Sequence, residues 1–155
     1  MRIGIDIDGI INNIEKFQLE NAIPFFKEKY NKEVVNPNGF DVRDIFGLSE
    51  DEEYMRREFW KPFIFELARK APVRNGIKEL IAKMKENGDV PYIVTERYAT
   101  DRKNAWGALH RKFVKDYLKA NDIDIDEDKI IFCTEGHKLD AYKEHELDMA
   151  LEDNV

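Results

Sequence analysis

Two aspartates one residue apart close the apolar run that opens the chain, Ile3-Gly4-Ile5-Asp6-Ile7-Asp8-Gly9. In an extended chain residues i and i+2 point the same way. Asp6 and Asp8 are therefore expected to face one small site while Ile7 stays in the core. Carboxylates that close repel each other unless a cation or a shared proton lies between them. Gly9 lets the chain turn sharply and lets a ligand approach the backbone. A hard cation such as Mg²⁺ takes oxygen ligands and keeps room for phosphate and water. The segment reads as a metal-and-phosphate site at the end of a first strand. An isolated Asp-x-Asp is also a common solvated turn or helix cap, so the pair needs partners elsewhere.

Those partners stand at the ends of similar runs. Arg2–Ile7, Val90–Val94, Lys129–Cys133 and Leu147–Leu151 read as strands of a parallel sheet, separated by segments of helical periodicity. In open α/β sheets ligands bind at the carboxyl ends of the strands. The second run ends in Thr95-Glu96-Arg97, which offers a hydroxyl and backbone N–H groups to phosphate oxygens. Beyond the third, Gly136-His137-Lys138 puts an ammonium near the start of a short helix over Leu139–His145. The fourth closes on a second acidic pair, Glu152-Asp153. Ile77, Leu80, Ile81 and Met84 form one helical stripe that Gly88 is placed to end. Trp106, Leu109, Phe113 and Tyr117 form another, with Thr100 or Asp101 as its cap.

The first connection is far longer than a simple crossover needs. Within it Ile14–Tyr30 and Glu50–Lys70 read as helical. Ser49 and Glu52 make a capping-box pattern, and Pro24 and Pro62 predict bends or breaks. The segment is rich in aromatics, among them Phe17, Phe25, Phe26, Tyr30, Phe40, Phe46, Phe59, Trp60, Phe63 and Phe65, which suit a helical mini-core.

This order of motifs resembles the haloacid dehalogenase superfamily of phosphohydrolases. Asp6-Ile7-Asp8-Gly9 matches its first motif, Thr95 its second, Lys138 its third and Glu152-Asp153 its fourth. The insertion takes the family's C1 cap position. Ile5–Ile11 and Leu147–Asn154 look most like the 5′(3′)-deoxyribonucleotidase-like group. The resemblance implies a Rossmann-like core with a parallel sheet over residues 1–13 and 72–155, and a helical cap over 14–71 that gates the site. It implies Asp6 as nucleophile, forming an aspartyl-phosphate, and Asp8 as the acid and base. Asp6, the Asp8 backbone carbonyl and Asp153 would hold Mg²⁺, and Thr95 and Lys138 the phosphoryl oxygens. Glu152 would support the metal ligands from outside, and Arg97 is a candidate substrate clamp or, equally, a surface ion pair. Relatives continue beyond the acidic pair into a further helix and edge strand. The C-terminal edge is thus expected to be shortened, and a homodimer is one way to cover it.

Composition narrows the class. With 155 residues, 43% of them hydrophobic and 37% charged, the chain suits one globular domain with an insertion. A net charge of −7 without a basic tract argues against a nucleic-acid polymer as partner and leaves an anionic small molecule only where local cations overcome that field; the resemblance implies a small phosphorylated substrate. No apolar run approaches a membrane span of about 20 residues. The lone Cys133 excludes an intramolecular disulfide and fits a reducing cytoplasm. His137 and His145 lack zinc-ligand spacing, and His110 reads as a surface or half-buried side chain. A receiver-type signalling domain shares an acidic pair, Thr and Lys but has no large insertion after its first strand. A nucleotide-sugar glycosyltransferase needs a nucleotide-binding region ahead of its Asp-x-Asp. The remaining alternative is a phosphatase-like domain that binds phosphate compounds or a protein without turnover.

Overall fold

In the computed structural model, which describes residues 1–153, the opening apolar run forms β1 (Arg2–Ile5). Three later runs form β2 (Val90–Thr95), β3 (Ile130–Phe132) and β4 (Met149–Leu151). Together they make one all-parallel sheet in the order β3-β2-β1-β4. The inner strands β1 and β2 carry near-continuous apolar sequence because both their faces are covered. Ile3, Ile5, Ile93 and Val94 are accordingly buried. Parallel pairing demands crossovers, and helices supply them, giving the α/β architecture that the alternation of runs predicts, Rossmann-like as the resemblance implies.

The edge strand β4 is shorter than the expected Leu147–Leu151 and, among the described residues, pairs with β1 alone. Met149 and Ala150 are exposed. A three-residue strand limits how much open edge is offered to another chain.

The chain divides into two compact units, one of residues Met1–Asn12 with Val73 onward and one of Asn13–Pro72. In the first, helices α4 (Ile77–Glu86), α5 (Ala105–Ala120) and α6 (Lys138–Glu144) accompany the sheet. Helix α4 buries Ile77, Ile81 and Met84, whereas Leu80 of the expected stripe is exposed; Gly88, at φ +82°, follows its end. Helix α5 departs further from expectation. Its cap is Asn104, whose side-chain oxygen accepts the Gly107 N–H at 2.9 Å, and not Thr100 or Asp101. Its buried face is Gly107, His110, Val114, Tyr117 and Leu118, with Trp106 and Leu109 exposed. His110 is therefore a core residue, and not the surface or half-buried side chain that the sequence suggests. The rings of Tyr98, Trp106 and Phe113 pack edge-on around it at 4.9–5.8 Å. Burial, helped by the Arg102 charge, lowers its pKa and favours the neutral imidazole.

The second unit contains α1 (Ile14–Tyr30), α2 (Val42–Phe46) and α3 (Glu53–Lys70). Both long helices run through Pro24 and Pro62, where bends or breaks are expected. Buried aromatic faces hold them together, since tertiary packing outweighs local propensity. Phe26 stacks on Phe46 at 4.2 Å and Phe59 on Phe63 at 4.7 Å, within a core that also takes Ala22, Val42, Ile45, Leu48 and Met55. Phe40, counted among the core rings by sequence, is exposed. Helix α2 is absent from the sequence reading; Asp41 caps it by accepting the N–H groups of Arg43 and Asp44, and Gly47 at φ +57° ends it. The Glu52 carboxylate accepts the Ser49 N–H at 3.1 Å, as the capping pattern predicts. No described helix is long and apolar enough to cross a membrane.

Candidate active site

The site forms where β1 ends. Asp6 is fixed by its backbone, whose N–H donates to the Leu151 carbonyl of β4 at 3.0 Å, while its carboxylate accepts the Ile7 N–H at 2.7 Å. The chain then makes a wide turn closed by the Asn12 N–H on the Ile7 carbonyl at 2.9 Å. Gly9 adopts φ +82° inside it, and a Cβ there would collide with the Asp153 carboxylate. Glycine thus serves two purposes at once: the left-handed turn, and the approach of the second acidic pair to the first. Arg74 adds a hydrogen bond from Nε to the Gly9 carbonyl at 2.6 Å.

The two aspartates take different partners. Asp6 accepts Lys138 Nζ at 2.6 Å, and the same ammonium donates to Glu152 Oε2 at 2.7 Å. The other Glu152 oxygen accepts the Tyr142 hydroxyl at 2.6 Å. Asp8 instead meets Arg97 in a two-pronged pair, Nε to Oδ2 at 2.9 Å and NH2 to Oδ1 at 2.7 Å. Asn12 Nδ2 donates to Asp8 Oδ1 at 2.6 Å. Asp6 and Asp8 thus take separate partners, because regular strand ends at Ile5 and the turn redirects Asp8. Arg97 is likewise no surface ion pair: its side chain is 7% exposed, and its guanidinium lies over the Tyr117 ring at 5.4 Å.

Burial and charge give these groups distinct titration behaviour. Burial pushes the Asp6 carboxyl up to about 7; Lys138 opposes this, while the charges of Glu152 and Asp8 reinforce it. Burial also works against the charge on Asp8, but Arg97 and Asn12 outweigh it and hold Asp8 below the usual carboxylate range. For Lys138 burial is again outweighed, here by its two carboxylates, so the ammonium is strengthened. Burial and the bond to Glu152 raise the Tyr142 hydroxyl and keep it a donor.

Asp6, Glu152 and Asp153 each bring a carboxylate oxygen to within 4.8 Å of the others. An all-oxygen donor set suits a hard cation such as Mg²⁺. Both oxygens of Asp6 and both of Glu152 already accept protein hydrogen bonds, so a cation here would share these carboxylates with their present donors. With Asp6 ionised, Asp6, Glu152, Asp153 and the Lys138 ammonium sum to two negative charges, matching one divalent ion, whereas the Asp8–Arg97 pair is neutral by itself.

Of the residues singled out by sequence, Asp6, Lys138, Glu152 and Asp153 converge, and Asp8 and Arg97 form a pair beside them. Thr95 lies buried at the end of β2, two residues past the Ile5–Ile93 pairing, with its carbonyl accepting the Cys133 N–H. Cys133 is buried and unbridged. Sequence reasoning gave no role to Tyr142, Asn12, Arg74 or the Glu96 side chain. Glu96 Oε1 accepts the N–H groups of His137 at 3.1 Å and Lys138 at 3.0 Å, so it sets the start of α6. A signal for Tyr142 was present in Gly4, because a glycine inside a strand marks close approach. A Cβ there would collide with the Tyr142 ring.

No protein-family model matches the chain, and no curated protein matches it. A solved structure, "Putative Phosphatase from Clostridium difficile", aligns with 96% of this chain and 82% of its own, at 11% identity and a TM-score of 0.47.

Proposed function

We propose that the chain is a Mg²⁺-dependent phosphomonoester hydrolase of haloacid dehalogenase type, acting on a nucleoside monophosphate or similar small phosphate ester. The observation that carries this reading is the convergence of Asp6, Lys138, Glu152 and Asp153 at the carboxyl ends of β1 and β4. Asp6 would attack phosphorus, the P–O bond to the leaving group would break, and an aspartyl-phosphate would result. Asp8 would give the leaving oxygen a proton, then take one from the water that hydrolyses the intermediate. Lys138 and Thr95 would hold the phosphoryl oxygens and favour the charge that develops on them. Mg²⁺, held by Asp6, the Asp8 main-chain carbonyl and Asp153, would offset the repulsion between carboxylate and phosphate. It would also favour the ionised, nucleophilic form of Asp6. The inserted helical unit takes the part of the specificity-setting cap in this reading.

A second reading, phosphate or partner binding without turnover, draws on the Asp8–Arg97 pair, which occupies both oxygens of the proposed acid. Incubation with p-nitrophenyl phosphate and a mononucleotide panel, with and without Mg²⁺, separates the two. Phosphate release that needs Mg²⁺ and vanishes in Asp6→Asn is the expected result. Binding of the same compounds by calorimetry with no release would establish the second reading instead.

A further inference from the structure

The loop that follows β2 is built to hold one side chain still. Thr100 Oγ1 donates to the Arg97 carbonyl at 2.7 Å, and Arg111 NH1 donates to the carbonyls of Thr100 and Arg102 at 2.7 and 2.8 Å. Ala99 sits at φ +62°, a conformation that costs a non-glycine residue and persists only where its surroundings impose it. Gly107 is required there, because a Cβ on it would collide with the Arg102 carbonyl. The guanidinium this loop presents is buried, lies over Tyr117, and spends two of its three nitrogens on Asp8. Its third nitrogen, NH1, is buried without a hydrogen-bond partner among the described residues. A buried donor left unmet is costly, so the arrangement serves the Asp8 contact and not general satisfaction of the arginine.

We infer that Arg97 is the positioning residue of Asp8: its planar fork, with Asn12, locks the Asp8 carboxylate in one orientation as the base that takes a proton from the hydrolytic water. Arg97 is then neither a substrate clamp nor a generic stabiliser. A two-pronged pair fixes direction as well as distance, which lysine cannot reproduce. The inference rests on the hydrolase reading above and deepens it.

The test is a double-mutant cycle on kcat and KM with p-nitrophenyl phosphate, whose leaving group departs without a proton and so keeps the Asp8→Asn rate measurable. Arg97→Gln is expected to lower kcat at least tenfold with KM changed less than twofold, and Arg97→Lys to restore part of the rate. In the Asp8→Asn background Arg97→Gln is expected to change kcat less than twofold, because Arg97 acts through Asp8. An effect of Arg97→Gln that persists in that background overturns the inference, as does a loss expressed in KM. Should Arg97→Gln fail to fold, Arg97→Lys keeps the charge, and its kcat loss must still vanish in the Asp8→Asn background. Wild-type protein inactive on every ester tested brings down the hydrolase reading itself. An active wild type with additive Arg97 and Asp8 losses brings down this inference alone.

Discussion

At the scale of single residues, Asp6 is an uneasy carboxylate. Its pKa of about 7 lies well above the ordinary 3.8, mainly because burial removes water from the charged form. The native state therefore binds this proton more tightly than the unfolded chain does. The resulting stability is fully present below pH 4 and is lost as pH rises through 7. At about 1.4 kcal/mol per pKa unit the cost at alkaline pH has an upper bound of about 4 kcal/mol. An asparagine escapes it. Without divalent cations, Asp6→Asn is expected to melt several degrees above wild type at pH 8, at about 2–4 °C per kcal/mol, with the gap closing towards pH 4. A gap independent of pH would mean that Asp6 titrates as an ordinary surface carboxylate. The residue types of the site were legible in the sequence because Asp6, Lys138 and Asp153 each follow an apolar run. The pairing of Asp8 with Arg97 was not: it joins residues 89 positions apart through a turn that departs from strand geometry.

At the scale of elements, α6 depends on its neighbours. Seven residues are too few to hold a helix in water unaided. The N–H groups of Lys138, its first residue, and of His137 just before it end on the Glu96 carboxylate, a charge-assisted cap supplied from beyond the end of a different strand. Glu96→Ala removes both bonds and is expected to cost about 0.5–2 kcal/mol, the range of a lost cap, read as a fall of several degrees in Tm. Glu96→Gln keeps an acceptor and is expected to lose less. An alanine variant as stable as wild type would show that α6 is held by packing alone. Elements were read less well than residues where polarity misleads. In α5 the large side chains Trp106 and Leu109 point outward, while Gly107 and His110 point in. The stripe was drawn through hydrophobic residues, whereas ring packing around His110 and close approach of the Arg102 carbonyl fixed the helix's real face. Helix α2 is five residues long and carries no period; only Asp41 and Gly47 at its ends announce it.

At the scale of the whole molecule, the sequence shows a first connection longer than a simple crossover needs, and residues Asn13–Pro72 of it form a compact unit. What sequence could not supply is how the chain leaves the sheet unit and returns to it. Asn12 and Val73 face each other in an antiparallel bridge, and the Arg74 N–H donates to the Ile11 carbonyl at 2.8 Å. The ends of the sheet unit at the excision point therefore lie side by side. Closing so small a gap costs little chain entropy, because loop-closure terms grow only with the logarithm of length. The sheet unit also has a core of its own, with Ile5, Ile93 and Val94 at 0% exposure. Replacing residues 13–72 by a short Gly-Ser turn is thus expected to leave a protein that unfolds cooperatively. Because Asp6, Glu152 and Asp153 all belong to that unit, the shortened protein is also expected to bind Mg²⁺ by titration calorimetry within a few-fold of the full chain. Cooperative unfolding with no Mg²⁺ binding, when the full chain binds it, would mean that the inserted helices contribute to the cation site. A shortened chain with no unfolding transition at all would mean that the sheet unit cannot stand without them.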